Sequence, residues 1–382
     1  MNRRWVLPAA MFSGTVAWSF VSVSLPFHVR AISDVDPVAT LRWTGWILGV
    51  TALTTVLTAP FWGMIGDRYD PRRLYVVIEV LQGIGFLAMA IARTLLELFG
   101  ARLVLGFWGA ASTFSFIIAG READPAETRR QVSRMQASMM VGQVLGPLFG
   151  AMAAAQMGFR LSFVLAGLVL FATAAFVQLG VPPLPPARAA DARRAARAPV
   201  SVVGVTAIVL GGSIQIMFLP AVLPELLEGL GVEPARTLEA GGIVLFVSGI
   251  AAAVGSLAAP RLAEALPERQ LIPLLLGGSS VFLVAFSLAG SVWSFGALRF
   301  LQVLCVAPVF PIVVARIAHR VGGKAIGFIN SARIGAAFIG PVVATTLLAW
   351  GPAPVLYVCL ALMTLACAPL AWRGDGRAGA AA

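Results

Sequence analysis

Long apolar runs, nearly free of charge, recur along this 382-residue chain, and nothing else constrains its fold as tightly. About 20 apolar residues in a helix cross the ~30 Å hydrocarbon core of a bilayer. Within that core each backbone N–H and C=O must find its partner inside the protein, which leaves helices and closed barrels as the spanning structures. The runs fall at 5–29, 43–65, 74–92, 95–119, 136–157, 159–180, 200–224, 238–259, 270–290, 293–315, 326–349 and 353–372. They predict an all-α membrane protein with twelve transmembrane helices. The short alternating segments of a membrane barrel do not occur. The first run begins MNRRWV and stays apolar to about residue 27, too long for the core of a signal peptide, so it reads as a first span.

Only 12% of residues are charged, yet the formal net charge is +11. In a soluble protein that excess would point to nucleic acid, but here the placement of the charges accounts for it. Arg3, Arg4, Arg68, Arg72, Arg73, Arg129, Arg130, Arg193, Arg194 and Arg373 are among many basic residues in alternate loops and at the ends. The opposite loops hold only Arg30, Arg42, Arg93, Arg160 and Arg236. By the positive-inside rule the first set is cytoplasmic, and so are both termini. No nucleic-acid partner is expected.

The chain reads as two halves. GARLVLGFWGAA around Arg102 pairs with ALRFLQVLCVAP around Arg299, 197 positions later, and LGPLFGA pairs with IGPVVAT, 194 later. GMIGDR from Gly63 pairs with GSLAAPR from Gly255 at an offset of 192. Near-constant offsets mark an internal repeat of six helices, a known plan of secondary transporters. The expected division is an N-terminal bundle at 1–180, a Pro-, Ala- and Arg-rich cytoplasmic linker at 181–199, a C-terminal bundle at 200–372 and a cytoplasmic tail at 373–382.

Between the second and third runs stands GMIGDRYDPRRL, residues 63–74. Topology alone explains Arg72 and Arg73 but not Asp67, since acids contribute little to orientation. The segment resembles the loop 2–3 signature of the major facilitator superfamily, matched at Gly63, Asp67, Arg68, Arg72, Arg73 and Leu74. Asp70 and Pro71 depart from it, standing where the family prefers glycine and a base. The resemblance implies the major facilitator fold, two pseudo-symmetric six-helix bundles, with Asp67 latching one conformation and Gly63 permitting close helix approach. The second copy has Ala259 and Pro260 at the latch positions.

Further motifs extend the resemblance. In the fifth run Gly142, Gly146 and Gly150 recur every four residues beside Pro147, which permits tight packing and a bend. This G-x-x-x-G-P-x-x-G pattern also resembles the antiporter motif of exporters, with Ser133 in place of an upstream glycine. APFWGMIGDR, AAPRLAEAL, ALRFLQ and NSARIGAAFIGP look like multidrug exporters of the MdtG type among the twelve-helix drug:proton antiporters. Polar residues inside the runs are then candidates for the substrate cavity or for coupling: Glu79, Arg102, Gln143, Gln215, Arg299, Gln302, Asn330 and Arg333. Tight packing and snorkelling are the bland alternatives for the glycines and arginines.

The expectation is a monomeric secondary transporter in a bacterial inner membrane. It exports a drug, siderophore or other metabolite by alternating access in exchange for protons, with its gates at the 63–74 loop and the Gly146–Pro147 region. The buried arginines favour substrates with an anionic or carbonyl-rich part. Glu79, the acid well inside a run, is the candidate proton carrier; a structural pair with a cytoplasmic arginine is its alternative. An importer of a small organic anion and a non-transporting sensor remain open. No catalytic constellation, metal set, cofactor motif or nucleotide-binding loop is present in the sequence.

Overall fold

The computed structural model describes residues 3–119, 125–183, 201–318 and 323–369, apart from the side chains of Gly63, Asp67 and several residues between 125 and 129, 201 and 203, and 314 and 330. Every regular element among them is a helix. Eleven helical stretches are long and apolar enough to cross a membrane, and the shorter apolar helix Ala353–Leu365 follows them. This is the helical membrane architecture that the apolar runs predict. The expected tail lies outside the described residues, as does the linker from residue 184 onward.

The chain groups into two compact units, Met1–Arg193 with Gly241–Phe246, and Arg194–Ala240 with Val247–Ala382. The first is built from α1 (Val6–Ile32), α2 (Pro37–Arg68), α3 (Pro71–Ile91), α4 (Leu95–Phe107), α5 (Ala111–Ala119), α6 (Pro125–Met157) and α7 (Phe159–Gly180). Their starts are written in the sequence. Asp36 and Asp70 each accept a hydrogen bond from the first turn of the helix they precede, with proline at the first position. Asp70 and Pro71, the departures from the loop signature, are thus the N-cap and first residue of α3. The α6 helix starts at Pro125, well before the expected residue 136, because polar turns can remain helical beyond the hydrocarbon.

α1 packs mainly on α6, and the glycine stripe is the reason. A Cβ at Gly142 would lie 2.9 Å from the Phe12 carbonyl oxygen, and one at Gly146 would lie 2.5 Å from Ser19 Cβ and 3.1 Å from the Val16 carbonyl. At Gly150 it would run into the backbone carbonyl of Phe20. Three turns of α6 therefore rest directly on three turns of α1.

The second unit comprises α8 (Ser201–Met217), α9 (Leu219–Gly229), α10 (Thr237–Ala265), α11 (Glu268–Ala285), α12 (Val292–Val306), α13 (Val309–Ala318), α14 (Gly323–Trp350) and α15 (Ala353–Leu365). A Cβ at its Gly340 would lie 3.4 Å from the Ile214 carbonyl oxygen, 3.2 Å from the Met217 carbonyl carbon and 3.1 Å from the Phe218 nitrogen. That i, i+3, i+4 set repeats the Val16, Ser19 and Phe20 set around Gly146. The paired landmarks do the same packing job in each unit.

Three expected single helices, 95–119, 200–224 and 293–315, are each split in two. Pro220 lacks the N–H that would bond the Ile216 carbonyl, and Arg299 supplies the missing donor: its Nη2 reaches that carbonyl at 2.9 Å and its Nη1 the Gln215 carbonyl at 2.8 Å. At the α4–α5 break, Trp62 Nε1 donates to the Phe107 carbonyl and Gln82 Nε2 to the Trp108 carbonyl, each at 2.6 Å. Arg102 differs. Its Nε and Nη2 reach the Ile47 and Leu48 carbonyls at 3.1 Å, but α2 is unbroken there and Thr51 and Ala52 retain N–H groups for them.

Two tests follow from this packing. Gly150→Ala is expected to destabilise the purified protein by about 1–3 kcal/mol, whereas Gly100→Ala, with nothing within 4 Å of its Cβ, should change the thermal midpoint little; equal midpoints would refute the close approach. Arg299→Met should cost about 3 kcal/mol by orphaning the Ile216 carbonyl at a helix break and leaving the Gln215 carbonyl only a long bond from Gln302, and Arg102→Met distinctly less. The reverse order of thermal midpoints would refute the role given to Pro220.

Candidate functional site

Within the first unit, α1, α2, α3, α5 and α6 enclose a cavity of about 290 Å³. Trp18, Thr55, Tyr75, Glu79, Gln82 and Gln143 are among the side chains that line it. Glu79 comes from the buried face of α3 and is 3% exposed. Gly14 of α1 faces it, and a Cβ there would stand in ordinary contact, 3.5 Å from Glu79 Oε1. Gln82, one turn on, is held at both ends, accepting from Trp18 Nε1 at 2.9 Å and donating to the Trp108 carbonyl. Trp18 in turn stacks edge-on against Phe86, with ring centroids 5.2 Å apart.

The wall formed by Trp18 and Gln82 is rigid because each polar atom has a fixed partner. Beside it Tyr75 Oη, Glu79 Oε2 and Ser115 Oγ are buried and have no hydrogen-bond partner among the described residues. Buried polar atoms are bonded in the great majority of cases, so two unpartnered oxygens on the cavity wall, Tyr75 Oη and Glu79 Oε2, with Ser115 behind Tyr75, mark it as a place for exchangeable protons, water or donors on a bound molecule. Glu79 supplies the cavity's negative charge. No acid bonds to Arg102 among the described residues; its guanidinium lies over Trp18 at 5.9 Å, and its N–H groups point to α2 carbonyls.

The remaining expected site residues divide into groups. Gln215, Arg299 and Gln302 form one buried network in the second unit. Arg299 Nη1 donates to Gln302 Oε1 at 2.6 Å and Nε to Ser248 Oγ at 3.1 Å. Gln302 Nε2 donates to Gln215 Oε1 at 2.9 Å, and Gln215 Nε2 to Ser280 Oγ at 3.1 Å. All three are at most 1% exposed, so the network faces inward upon itself. Arg333 is half-buried on α14 with its guanidinium over Phe310 at 5.2 Å. Gly142, Gly146 and Gly150 lie in the α1–α6 contact, with Pro147 inside α6. Arg68 is exposed, and Arg72 Nη2 donates to the Gln178 carbonyl at 2.7 Å. The surroundings of Gly63, Asp67 and Asn330 lie outside the described residues.

Sequence reasoning passed over Tyr75 and Ser115. The signal was there for Tyr75, which precedes Glu79 by one helical turn on α3; Ser115 comes to Tyr75 by tertiary packing and had none. It also passed over Glu127, which gathers Arg134 at 3.2 Å, Arg4 at 3.7 Å and Arg130 at 3.8 Å.

Comparison with known proteins places this geometry. The chain is 33% identical over 138 residues to the "Staphyloferrin B transporter" of Staphylococcus aureus, a match spanning 35% of this chain and 32% of that protein. It is 21% identical to the "Multidrug resistance protein MdtG" of Serratia proteamaculans over 93% of this chain and 89% of that one. Its fold matches, with a TM-score of 0.76 and 12% identity, an inward-facing, occupied bacterial homologue of the human lysosomal transporter Spinster, covering 97% and 96% of the two chains. The family model described as Major Facilitator Superfamily matches residues 7–278 and 203–381. The chain therefore belongs to the major facilitator superfamily and is a membrane transporter of a small molecule, not an enzyme.

Proposed function

We propose that this transporter exports a small organic molecule, a drug, siderophore or other secreted metabolite, across a bacterial inner membrane by alternating access, and that protons carried on Glu79 drive it. The observation that carries the reading is the carboxyl group of Glu79: buried, facing a cavity, with one oxygen free of any protein partner. A carboxylate at membrane depth is costly unless something compensates it, and a proton or a donor on the substrate can each do so in turn. That alternation is the requirement for exchange.

The export direction rests on the glycine stripe of α6, which resembles the exporter motif, and on the names of the relatives. In this reading the loop at Gly63, Asp67, Arg68 and Arg72 gates one side of the membrane, and the Gly142, Gly146, Pro147 and Gly150 face bends to serve the other. The donors of Arg102 and Arg299 are engaged with backbone carbonyls, which weakens an anion-binding role for both; Arg333 is the third arginine of that group. Asn330, three residues before it, shares that part of α14. The importer reading draws on the same arginine and is weakened by the same loss of two donors.

The test is proton movement in inverted vesicles, followed with a pH-sensitive dye while candidate drugs and siderophores are added. Substrate-triggered proton release is expected, reduced at least about a hundredfold by Glu79→Gln, the size of effect a positioned proton-transfer group has. Release that survives the substitution places the proton site elsewhere, and flux that survives collapse of the proton gradient removes antiport altogether.

A further inference from the structure

On α3, Arg72, Tyr75, Glu79 and Gln82 stand at i, i+3, i+7 and i+10, and so share one stripe of the helix. Gln82, at the inner end, is bonded on both sides. The other three each bury a polar atom without a protein partner: Arg72 Nε, Tyr75 Oη and Glu79 Oε2. Ser115 Oγ, brought to Tyr75 by α5, is a fourth. A chain this size can contain scattered unsatisfied atoms, but these line one face of one helix from the cavity to its start. The span from Glu79 to Arg72 is seven residues, about 10 Å at 1.5 Å per residue.

A polar gap with several unpartnered oxygens is the kind of site that holds ordered water. We propose that Tyr75 and Ser115, bridged by water, form a proton relay joining Glu79 to the membrane surface at the start of α3. The inference rests on the proton-carrier reading of Glu79 and adds the route by which its proton is exchanged. When the Glu79 carboxyl group releases its proton, the adjoining water takes it and passes one of its own to Tyr75 Oη. The Tyr75 hydroxyl gives up its original proton to the next water outward. Ser115 Oγ performs the same hand-over in parallel. Each hydroxyl ends with one proton, and one net proton has moved.

The charge surrounding the stripe permits this. Arg72 marks its mouth and is held there by the Gln178 carbonyl; Asp70 lies beside it, accepting from the Arg72 backbone N–H and lying 3.9 Å from Arg73. The helices packed on α3 bring few other titratable groups. α7 contributes Arg160, bonded to the Ala92 carbonyl at the far end, and α4 contributes Glu97 and Arg102, which bond to the Arg93 backbone and to α2. α5 contributes none. α1, across the cavity, contributes only His28 and Arg30 at its far end.

The experiment is time-resolved infrared spectroscopy of the purified full-length protein in lipid nanodiscs after a laser-triggered pH drop. The protonated-carboxyl band that disappears in Glu79→Gln reports Glu79 without any substrate. Combined, Tyr75→Phe and Ser115→Ala are expected to leave the wild-type final amplitude but slow its approach at least about tenfold, each alone slowing it less, and Ser115→Thr in place of Ser115→Ala is expected to restore much of the rate. Each change removes a single oxygen atom and leaves the packing intact, so both proteins should fold, and the equilibrium amplitude checks that they do. An unchanged rate in the double variant overturns the relay alone. A shifted amplitude with an unchanged rate makes Tyr75 a simple hydrogen-bond partner of Glu79 and also overturns it. If no band depends on Glu79 at any pH, the relay and the proton-carrier reading fall together.

Discussion

A backbone carbonyl in the middle of a bilayer has no water to bond, and this one constraint shapes the interior of the transporter. Continuous helices meet it by themselves. Wherever a helix is interrupted, some side chain must take over, and the structure shows which. Pro220 interrupts the seventh span and Arg299 covers the exposed carbonyls; Trp108 and Gly109 interrupt the fourth, and Trp62, Gln82 and Thr55 cover Phe107, Trp108 and Gly106. Buried polar residues in these spans are thus largely the complement of irregular backbone. A guanidinium suits the task, since its five donors can serve two carbonyls, a glutamine and a serine at once.

The same constraint explains why glycine carries so much of the packing. Between helices in lipid there is little hydrophobic gain to collect, so contact must come from shape. The stripe at Gly142, Gly146 and Gly150 lets α6 lie against the α1 backbone, and Gly340 repeats the arrangement against α8. A contact made of backbone on backbone is close but has no interlocking side chains. It can slide or tilt with less rearrangement than a knobs-into-holes contact.

The fold was legible in the sequence because it depends on properties summed over many residues: apolar length and a repeat offset near-constant at three landmarks. Individual roles were less so. Arg299 and Arg102 drew attention as buried charges, and a buried charge does need explaining. But the sequence cannot say that a proline 79 positions earlier has left a carbonyl for Arg299 to bond, because that partnership exists only after the helices pack. Gln215 and Gln302 were legible as polar and buried, yet their partners proved to be each other. Glu79 could be picked out as the lone acid deep in a span; Tyr75 and Ser115, ordinary in sequence, acquire meaning only from sharing its unpartnered environment. The helix breaks were missed at 108–110 because no proline stands there to announce one.

Seen together, the two kinds of buried polar group imply a division of labour. The arginine network of the second unit is satisfied almost atom for atom, which makes it stiff and indifferent to what enters the cavity. The α3 stripe of the first unit is the opposite, with a carboxyl oxygen and a phenol left open and the Ser115 hydroxyl of α5 left open beside them. Full satisfaction stabilises a structure but leaves nothing for a substrate or proton to gain by binding; open valences cost stability and are tolerable only where an exchangeable partner fills them. By that reasoning the chemistry of transport should be sought along α3 and not at the more conspicuous arginines.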